Sequence, residues 1–243
     1  MFCVIGLYLN SSYGLFHRCY GENISISDMD KRIYNSKVFQ FKKDSFGEKN
    51  DKFRLLVLGN SFGRDFVNII LETYDTKKLD IVYRDDFDDY SVLSSPIGAR
   101  LFEDANLVVF ASSKGNNAKN IIRNNDDKVF YLGTKFFGYN ENWIIRLPSS
   151  ARKNQKKDIG RYKLQEVDNG ICRNMAKKNF VSLLKPIVVD NKIPITDENG
   201  VLISTDRAHL TKYGAIFFGK KVVAGSEIGK ILERNCVKLI NRE

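Results

Sequence analysis

The sequence predicts an α/β fold, in which a parallel sheet is covered by helices on both faces. Short runs of Val, Leu, Ile and Phe recur along the chain, and amphipathic stretches separate them. The runs are apolar at nearly every position, which is typical of strands that are buried on both faces of a parallel sheet. The chain has 243 residues, which is enough for one domain of this class with a sizeable core.

Apolar runs and helical stretches alternate from residue 54 onward. Five runs are predicted as strands, at residues 54–58, 79–83, 107–111, 129–132 and 187–190. Six stretches are predicted as helices, at residues 64–74, 97–103, 117–123, 170–184, 212–224 and 227–240. The run at 107–111 is the most apolar, so we expect it in the centre of the sheet. Gly59 ends the first strand in a sharp turn, and Asn199-Gly200 gives a hairpin-like turn before the last two helices.

Residues 1–50 are expected to precede the domain, which we place at residues 51–243. Residues 1–9 are apolar, but they are too few to span a bilayer. They also lack the basic start and the small-residue cleavage site of a signal peptide. They could form a buried strand, or they could be the end of a membrane helix that begins upstream. Residues 10–50 are polar and rich in turn signals, so we interpret them as a linker.

The charge balance allows an anionic partner but does not favour nucleic acid. The chain has 39 Lys and Arg against 29 Asp and Glu, a formal net charge of +10. A nucleic-acid binder should show a coherent basic face with interleaved aromatic residues. Here the positive residues are scattered, except for one cluster at residues 152–163. The four cysteines are dispersed without metal-ligand spacing, so no metal site is predicted.

A serine follows the first predicted strand, in the sequence Gly59-Asn60-Ser61. At a strand-to-helix turn, a serine hydroxyl lies at the edge of the sheet and its N–H lies at a helix N-terminus. This placement suits a nucleophile whose N–H is one donor of an oxyanion hole. It equally suits a helix N-cap, because serine is a favoured capping residue. The stretch alone leaves both interpretations open.

A second motif, Asp206-x-x-His209, follows the apolar run at residues 201–203. A catalytic histidine needs a carboxylate that fixes its tautomer and stabilises the imidazolium. Two residues on one short loop can form that pair without long-range assembly. Thr211 is then a natural N-cap for the following helix. The alternative is a surface loop with a local hydrogen bond.

Together the two motifs resemble the SGNH (GDSL-like) hydrolase family, over roughly residues 54–240. In that family the catalytic serine follows the first strand, and the Asp and His lie on one late loop. The resemblance implies a three-layer, flavodoxin-like fold. The residues around Asp206 and His209 look particularly like the SGNH domains at the C-terminal end of acyltransferase family 3 membrane proteins. Those proteins O-acylate bacterial surface polysaccharides.

The resemblance implies a role for each matching residue. Ser61 would be the nucleophile, His209 its general base and Asp206 the orienting carboxylate. The oxyanion hole would use the Ser61 N–H together with donors after the second and third strands. This chain departs from the family pattern at both places, and the first motif reads Gly-Asn-Ser instead of Gly-Asp-Ser. The candidates for the remaining donors are Gly98, Ser113, Asn116 and Asn117.

The implied function is a serine-dependent acyl-ester enzyme, an O-acyltransferase or esterase that acts on a bacterial surface carbohydrate such as lipopolysaccharide. The alternative is a catalytically weak glycan-binding module with the same fold. The partners would be an acyl donor, a carbohydrate acceptor and the membrane-embedded part of a family 3 acyltransferase, with no cofactor. The expected location is the periplasmic side of the inner membrane.

Three further residues are candidates for substrate binding. Arg152 and Lys156 belong to the basic cluster and could bind an anionic polymer. Trp143 lies near this cluster and could stack on a sugar ring. The alternatives are a mobile basic loop and an aromatic side chain that belongs to the core. The acidic run at residues 84–89 could attract a cation, but its spacing fits no EF-hand-type loop and a solvated loop is favoured.

Overall fold

The structure is a computed structural model that describes residues 6, 16–21, 23–48, 51–111, 116–137, 141–159 and 162–236. Its strands are β1 Phe53–Gly59, β2 Leu79–Arg84, β3 Leu107–Ala111, β4 Val129–Leu132, β5 Lys156–Asp158, β6 Phe180–Val181 and β7 Lys192–Pro194. Its α-helices are α1 Phe16–Tyr20, α2 Ile26–Met29, α3 Lys31–Ser36, α4 Ser61–Thr73, α5 Pro96–Asp104, α6 Ala118–Ile122, α7 Tyr162–Ala176, α8 Lys212–Phe218 and α9 Glu227–Asn235. Shorter 3-10 turns connect several of them.

Five strands form one parallel sheet in the order β2-β1-β3-β4-β6. Numbered within this sheet alone, the order is 2-1-3-4-5, the flavodoxin-like arrangement. The predicted α/β fold class is therefore confirmed, and β3 lies in the centre of the sheet as expected. β5 and β7 form a separate antiparallel pair.

Helices cover both faces of the sheet because the strand side chains alternate between two cores. Leu55 and Val57 of β1 belong to the core that contains α4, α8 and α9. Leu56 and Leu58 point the other way, into the core that contains α5, α6 and α7. All four side chains are at most 1% exposed, so β1 must be apolar at successive positions. This is the three-layer arrangement that the resemblance implied.

The predicted fifth strand at residues 187–190 is wrong. The fifth strand of the sheet is β6, which lies directly after α7 and pairs with β4. The Asn179 amide donates to Val129 O at 2.7 Å and so fixes the start of β6 beside β4. Val189 is 54% exposed, and the run ends in a tight turn where Asp190 has φ 52°. The predicted helix at 170–184 is correspondingly misplaced, since α7 ends at Ala176.

The segment before the sheet contains more structure than a linker. Residues 23–48 include α2, α3 and a 3-10 turn, and their side chains Met29, Tyr34 and Val38 are at most 3% exposed. These residues pack into the same core as α4. Of the apolar start, residues 1–5 and 7–9 lie outside the described residues, and the boundary at residue 50 stays a prediction. In the part of the chain that is described, no helix combines the length and apolarity that a membrane span requires.

Candidate active site

The turn from β1 to α4 presents Ser61 at the carboxyl edge of the sheet. Gly59 has φ 148°, and a Cβ there would lie 2.8 Å from Ala111 C and closer still to Ala111 O. Asn60 is the N-cap of α4, and its Oδ1 accepts the Phe62 N–H at 3.0 Å. Ser61 is therefore the first helical residue and not the cap. Its N–H has no intrahelical partner at this position, which suits an oxyanion donor.

Asp206 and His209 form the pair that their spacing predicted. His209 Nδ1 lies 2.7 Å from Asp206 Oδ2. Asp206 Oδ1 accepts the N–H groups of Ala208 at 2.8 Å and His209 at 2.9 Å, so the carboxylate also shapes the loop backbone. Thr211 caps α8 by accepting the Gly214 N–H at 3.0 Å. The imidazole is therefore oriented through Nδ1.

Lys31 is a contact of Asp206 that the sequence did not predict. Its Nζ lies 2.6 Å from Asp206 Oδ2, the oxygen that also contacts His209. Burial alone would raise the pKa of Asp206, but the hydrogen bonds from His209, Ala208 and Lys31 outweigh burial and hold the pKa well below its ordinary value. Asp206 is therefore ionised at neutral pH. Lys31 lies in the segment interpreted as a linker, and no local motif marked it.

The His209 loop is joined directly to the first turns of α4. Asp65, four residues after Ser61, accepts the Leu210 N–H at 3.1 Å through Oδ1. Its other oxygen, Oδ2, lies 2.6 Å from Lys135 Nζ. Among the described residues, no hydrogen bond joins the Ser61 hydroxyl to the His209 ring, and catalytic hydrogen bonds are often loose without substrate. The assignment of Ser61, Asp206 and His209 as a triad stays a prediction.

Asp65 and Lys135 were missed as site residues. They are 70 residues apart in the chain, and neither belongs to an apolar pattern. The one available signal was the spacing of Asp65 from Ser61, because residues four apart lie on the same face of a helix. Nothing local distinguishes Lys135 from the other lysines of this basic chain.

Among the described residues, no hydrogen bond joins Ser61 to the predicted oxyanion donors after β2 and β3. The Gly98 N–H donates to Ser95 Oγ at 3.4 Å in the first turn of α5. Asn117 donates its side-chain amide to Asp89 O at 2.7 Å. Asn116 is an exposed turn residue, and Ser113 lies outside the described residues. Gly98 and Asn117 therefore use these donors for local structure, and all four residues stay predictions.

The candidate substrate-binding residues differ in how far their polar groups are engaged. Arg152 donates to Ile145 O at 2.7 Å, to Leu147 O at 2.8 Å and to Cys19 O. Its guanidinium thus connects the 3-10 segment at 141–146 to α1. Lys156 is exposed on β5, and Trp143 is 39% exposed. The geometry gives Arg152 a structural use, and the binding role of all three residues stays a prediction.

A cavity of about 660 Å³ adjoins Asp206 and Lys31. Its other walls come mainly from α1, α2 and α3, including the rings of Phe16 and Tyr20, whose centroids are 4.7 Å apart. The cavity therefore combines aromatic and charged groups beside the orienting carboxylate. Within the acidic run at residues 84–89, Arg84 binds Asp86 at 2.6 Å, and it also contacts Asp44.

No protein-family model and no curated protein matches the sequence. The structure of the periplasmic domain of a lipopolysaccharide acetyltransferase from Salmonella ser. Paratyphi A is similar to this chain. The identity is 12%, the TM-score is 0.47, and the match covers 88% of this chain and 94% of that chain.

Proposed function

We propose that the chain is a serine-dependent acyl-ester enzyme with Ser61 as its nucleophile. The observation that carries the proposal is the 2.7 Å contact between His209 Nδ1 and Asp206 Oδ2. Both residues lie on a loop that is hydrogen-bonded, through the Leu210 N–H and Asp65, to the helix that begins with Ser61. An ionised carboxylate, an imidazole oriented by it and a serine at a helix N-terminus are the parts that acyl transfer requires.

The chemistry proceeds in two halves through an acyl-enzyme. Ser61 Oγ attacks the acyl carbonyl of the donor while His209 Nε2 takes the hydroxyl proton, and Asp206 stabilises the imidazolium. The Ser61 N–H donates to the developing oxyanion. Collapse of the tetrahedral intermediate breaks the bond to the leaving group, which receives the proton from His209. An acceptor hydroxyl or water then attacks the acyl-enzyme, His209 takes its proton, and the new ester or acid leaves as Ser61 regains a proton.

The proposed acceptor is a carbohydrate of the bacterial surface. The sequence resemblance to family 3 acyltransferase domains motivates this choice. The same resemblance motivates a periplasmic location and a membrane-embedded partner. The cavity beside Asp206 supports a carbohydrate acceptor, because Phe16 and Tyr20 line it with aromatic side chains and Lys31 lines it with a hydrogen-bond donor, two kinds of group that bind sugars. If water is admitted instead, the same residues give an esterase.

Turnover of an activated ester tests the proposal. Wild-type protein should hydrolyse p-nitrophenyl acetate, and Ser61→Ala and His209→Ala should each lower kcat/KM by about 10³-fold or more. Two control variants remove the same groups elsewhere: Ser45→Ala at an exposed position, and His17→Ala at the other histidine of the chain. Both controls should keep the wild-type rate.

The second candidate is a glycan-binding module that does not turn its ligand over. The bonds already made by Gly98 and Asn117 favour it, because these two candidate oxyanion donors are engaged in local contacts. A module would bind surface polysaccharide without hydrolysing the ester, and Ser61→Ala would leave that binding unchanged. Absence of turnover in wild type, together with saturable polysaccharide binding, would decide for the module.

A further inference from the structure

We infer that Asp65 and Lys135 are positioning residues that fix His209 relative to Ser61. The inference rests on the proposed function for its catalytic consequence, although its structural part stands on contacts alone. Asp65 lies on α4, the helix that Ser61 begins, and Lys135 follows β4 at the carboxyl edge of the sheet. Neither residue would touch the reacting atoms.

The two side chains form a charge pair in the protein interior. Asp65 Oδ2 and Lys135 Nζ are 2.6 Å apart, and each side chain is 1% exposed. Lys135 Nζ also lies 4.2 Å from the centre of the Phe62 ring, one residue after Ser61. Burying two charges is costly, and well-packed apolar residues often serve stability equally well. The presence of two charges at this buried position therefore suggests a role that apolar residues could not fill.

That use is visible in the backbone of the His209 loop. Lys135 Nζ donates to Ala208 O, and the Leu210 N–H donates to Asp65 Oδ1 at 3.1 Å. The backbone groups on both sides of His209 are thus held by the same ion pair. Both backbone bonds need a polar side-chain atom, which an apolar residue at position 65 or 135 would lack.

Other bonds hold further backbone groups of the loop. The Phe137 N–H donates to Arg207 O at 2.7 Å, and Asp206 accepts the N–H groups of Ala208 and His209. The loop is therefore held by α4, by the segment after β4 and by its own carboxylate. Removing the ion pair would release this polar connection between the His209 loop and α4, the helix that begins with Ser61.

The test compares the geometry of His209 with stability in three variants. Lys135→Met keeps the aliphatic stem and removes the donor to Ala208. Asp65→Asn keeps an oxygen for the Leu210 N–H, and the double variant Asp65→Asn/Lys135→Met removes both charges. Lys178→Met is the control, because Lys178 forms an ion pair of the same 2.6 Å length with Asp126 at an exposed site.

The direct measurement is the ¹⁵N NMR spectrum of the histidine-labelled full chain. The chain has two histidines, so His209 can be assigned by comparison with His209→Ala, and His17 serves as the internal reference. We expect the His209 ring signals to change in Lys135→Met and in the double variant, with His17 unchanged and with no change in Lys178→Met. We also expect kcat for p-nitrophenyl acetate to fall at least tenfold in the double variant, with less than a threefold change in KM.

The outcomes separate this inference from the proposed function. A folded double variant with wild-type His209 signals and wild-type kcat would overturn the positioning role. If the double variant does not fold, Lys135→Met carries the test, because it removes the donor to Ala208 O; unchanged His209 signals in that variant would contradict the inference. If wild type shows no turnover, the proposed function fails, while the NMR comparison still decides whether the pair positions His209.

Discussion

Gly59→Ala should be among the most damaging single substitutions in the chain. A Cβ at Gly59 would lie 2.8 Å from Ala111 C and closer still to Ala111 O, and both are backbone atoms of the neighbouring central strand. The φ of 148° adds strain for any L-residue, about 1–3 kcal/mol. Overpacking against rigid backbone adds about 1–3 kcal/mol. The sum, about 2–6 kcal/mol, is a large part of a typical domain stability of about 5–15 kcal/mol.

Urea denaturation followed by circular dichroism measures this loss by linear extrapolation. Gly225→Ala is the matched control, because a Cβ at Gly225 would have no atom within 4 Å, and it should change the free energy of unfolding by less than about 0.5 kcal/mol. The surviving folded fraction of Gly59→Ala should also lose turnover, since the displaced turn moves Ser61. A loss of stability below about 1 kcal/mol would refute the argument that only glycine fits between β1 and β3.

Three more predictions concern the site and its surroundings. Asn60→Ala should lower the free energy of unfolding by about 0.5–2 kcal/mol, because the helix cap is lost. Asn60→Asp should keep the cap and at least the stability of the wild type. Urea denaturation of both variants checks this prediction, and equal losses of stability would contradict it. The low pKa of Asp206 means that its carboxylate stabilises the fold above the ordinary carboxyl pKa of about 4. Wild type should therefore exceed Asp206→Asn in stability at pH 7, and thermal unfolding should show the difference shrinking as pH falls below about 4; a constant difference would count against it. Arg152→Met should lower the free energy of unfolding by about 1–3 kcal/mol, because three carbonyls lose their donor. Lys156→Met is the control and should change the free energy of unfolding by less than about 0.5 kcal/mol. Similar losses in urea denaturation of the two variants would show that Arg152 has no special structural role.

The fold could be predicted largely because the central strands carry their own signal. β3 and β4 were predicted at the residues where they occur, since they are buried on both faces and so apolar throughout. β6 was missed because it has only two residues and is fixed by a distant contact, the bond from Asn179 to Val129. The short helices α2 and α3 were missed for a related reason. Four to six residues are too few for a helical period, and tertiary packing of residues such as Tyr34 holds them in place.

The site divides in the same way between local and distant contacts. The pairing of Asp206 with His209 was predictable because the two residues are only three positions apart on one loop. The identity of the α4 cap was not, because either Asn60 or Ser61 could occupy that position in the sequence. The contacts of Lys31 and Lys135 depend on where separate elements meet in space, which no spacing along the chain encodes.

The most direct test of the central claim is to map where a serine-directed fluorophosphonate reacts. Intact-mass and peptide mass spectrometry of the treated full chain should show one adduct, on Ser61. Ser61→Ala should show none, and His209→Ala should react far more slowly because the hydroxyl has lost its base. A wild-type chain without an adduct, or an adduct that persists in Ser61→Ala, would contradict the assignment of Ser61 as the nucleophile.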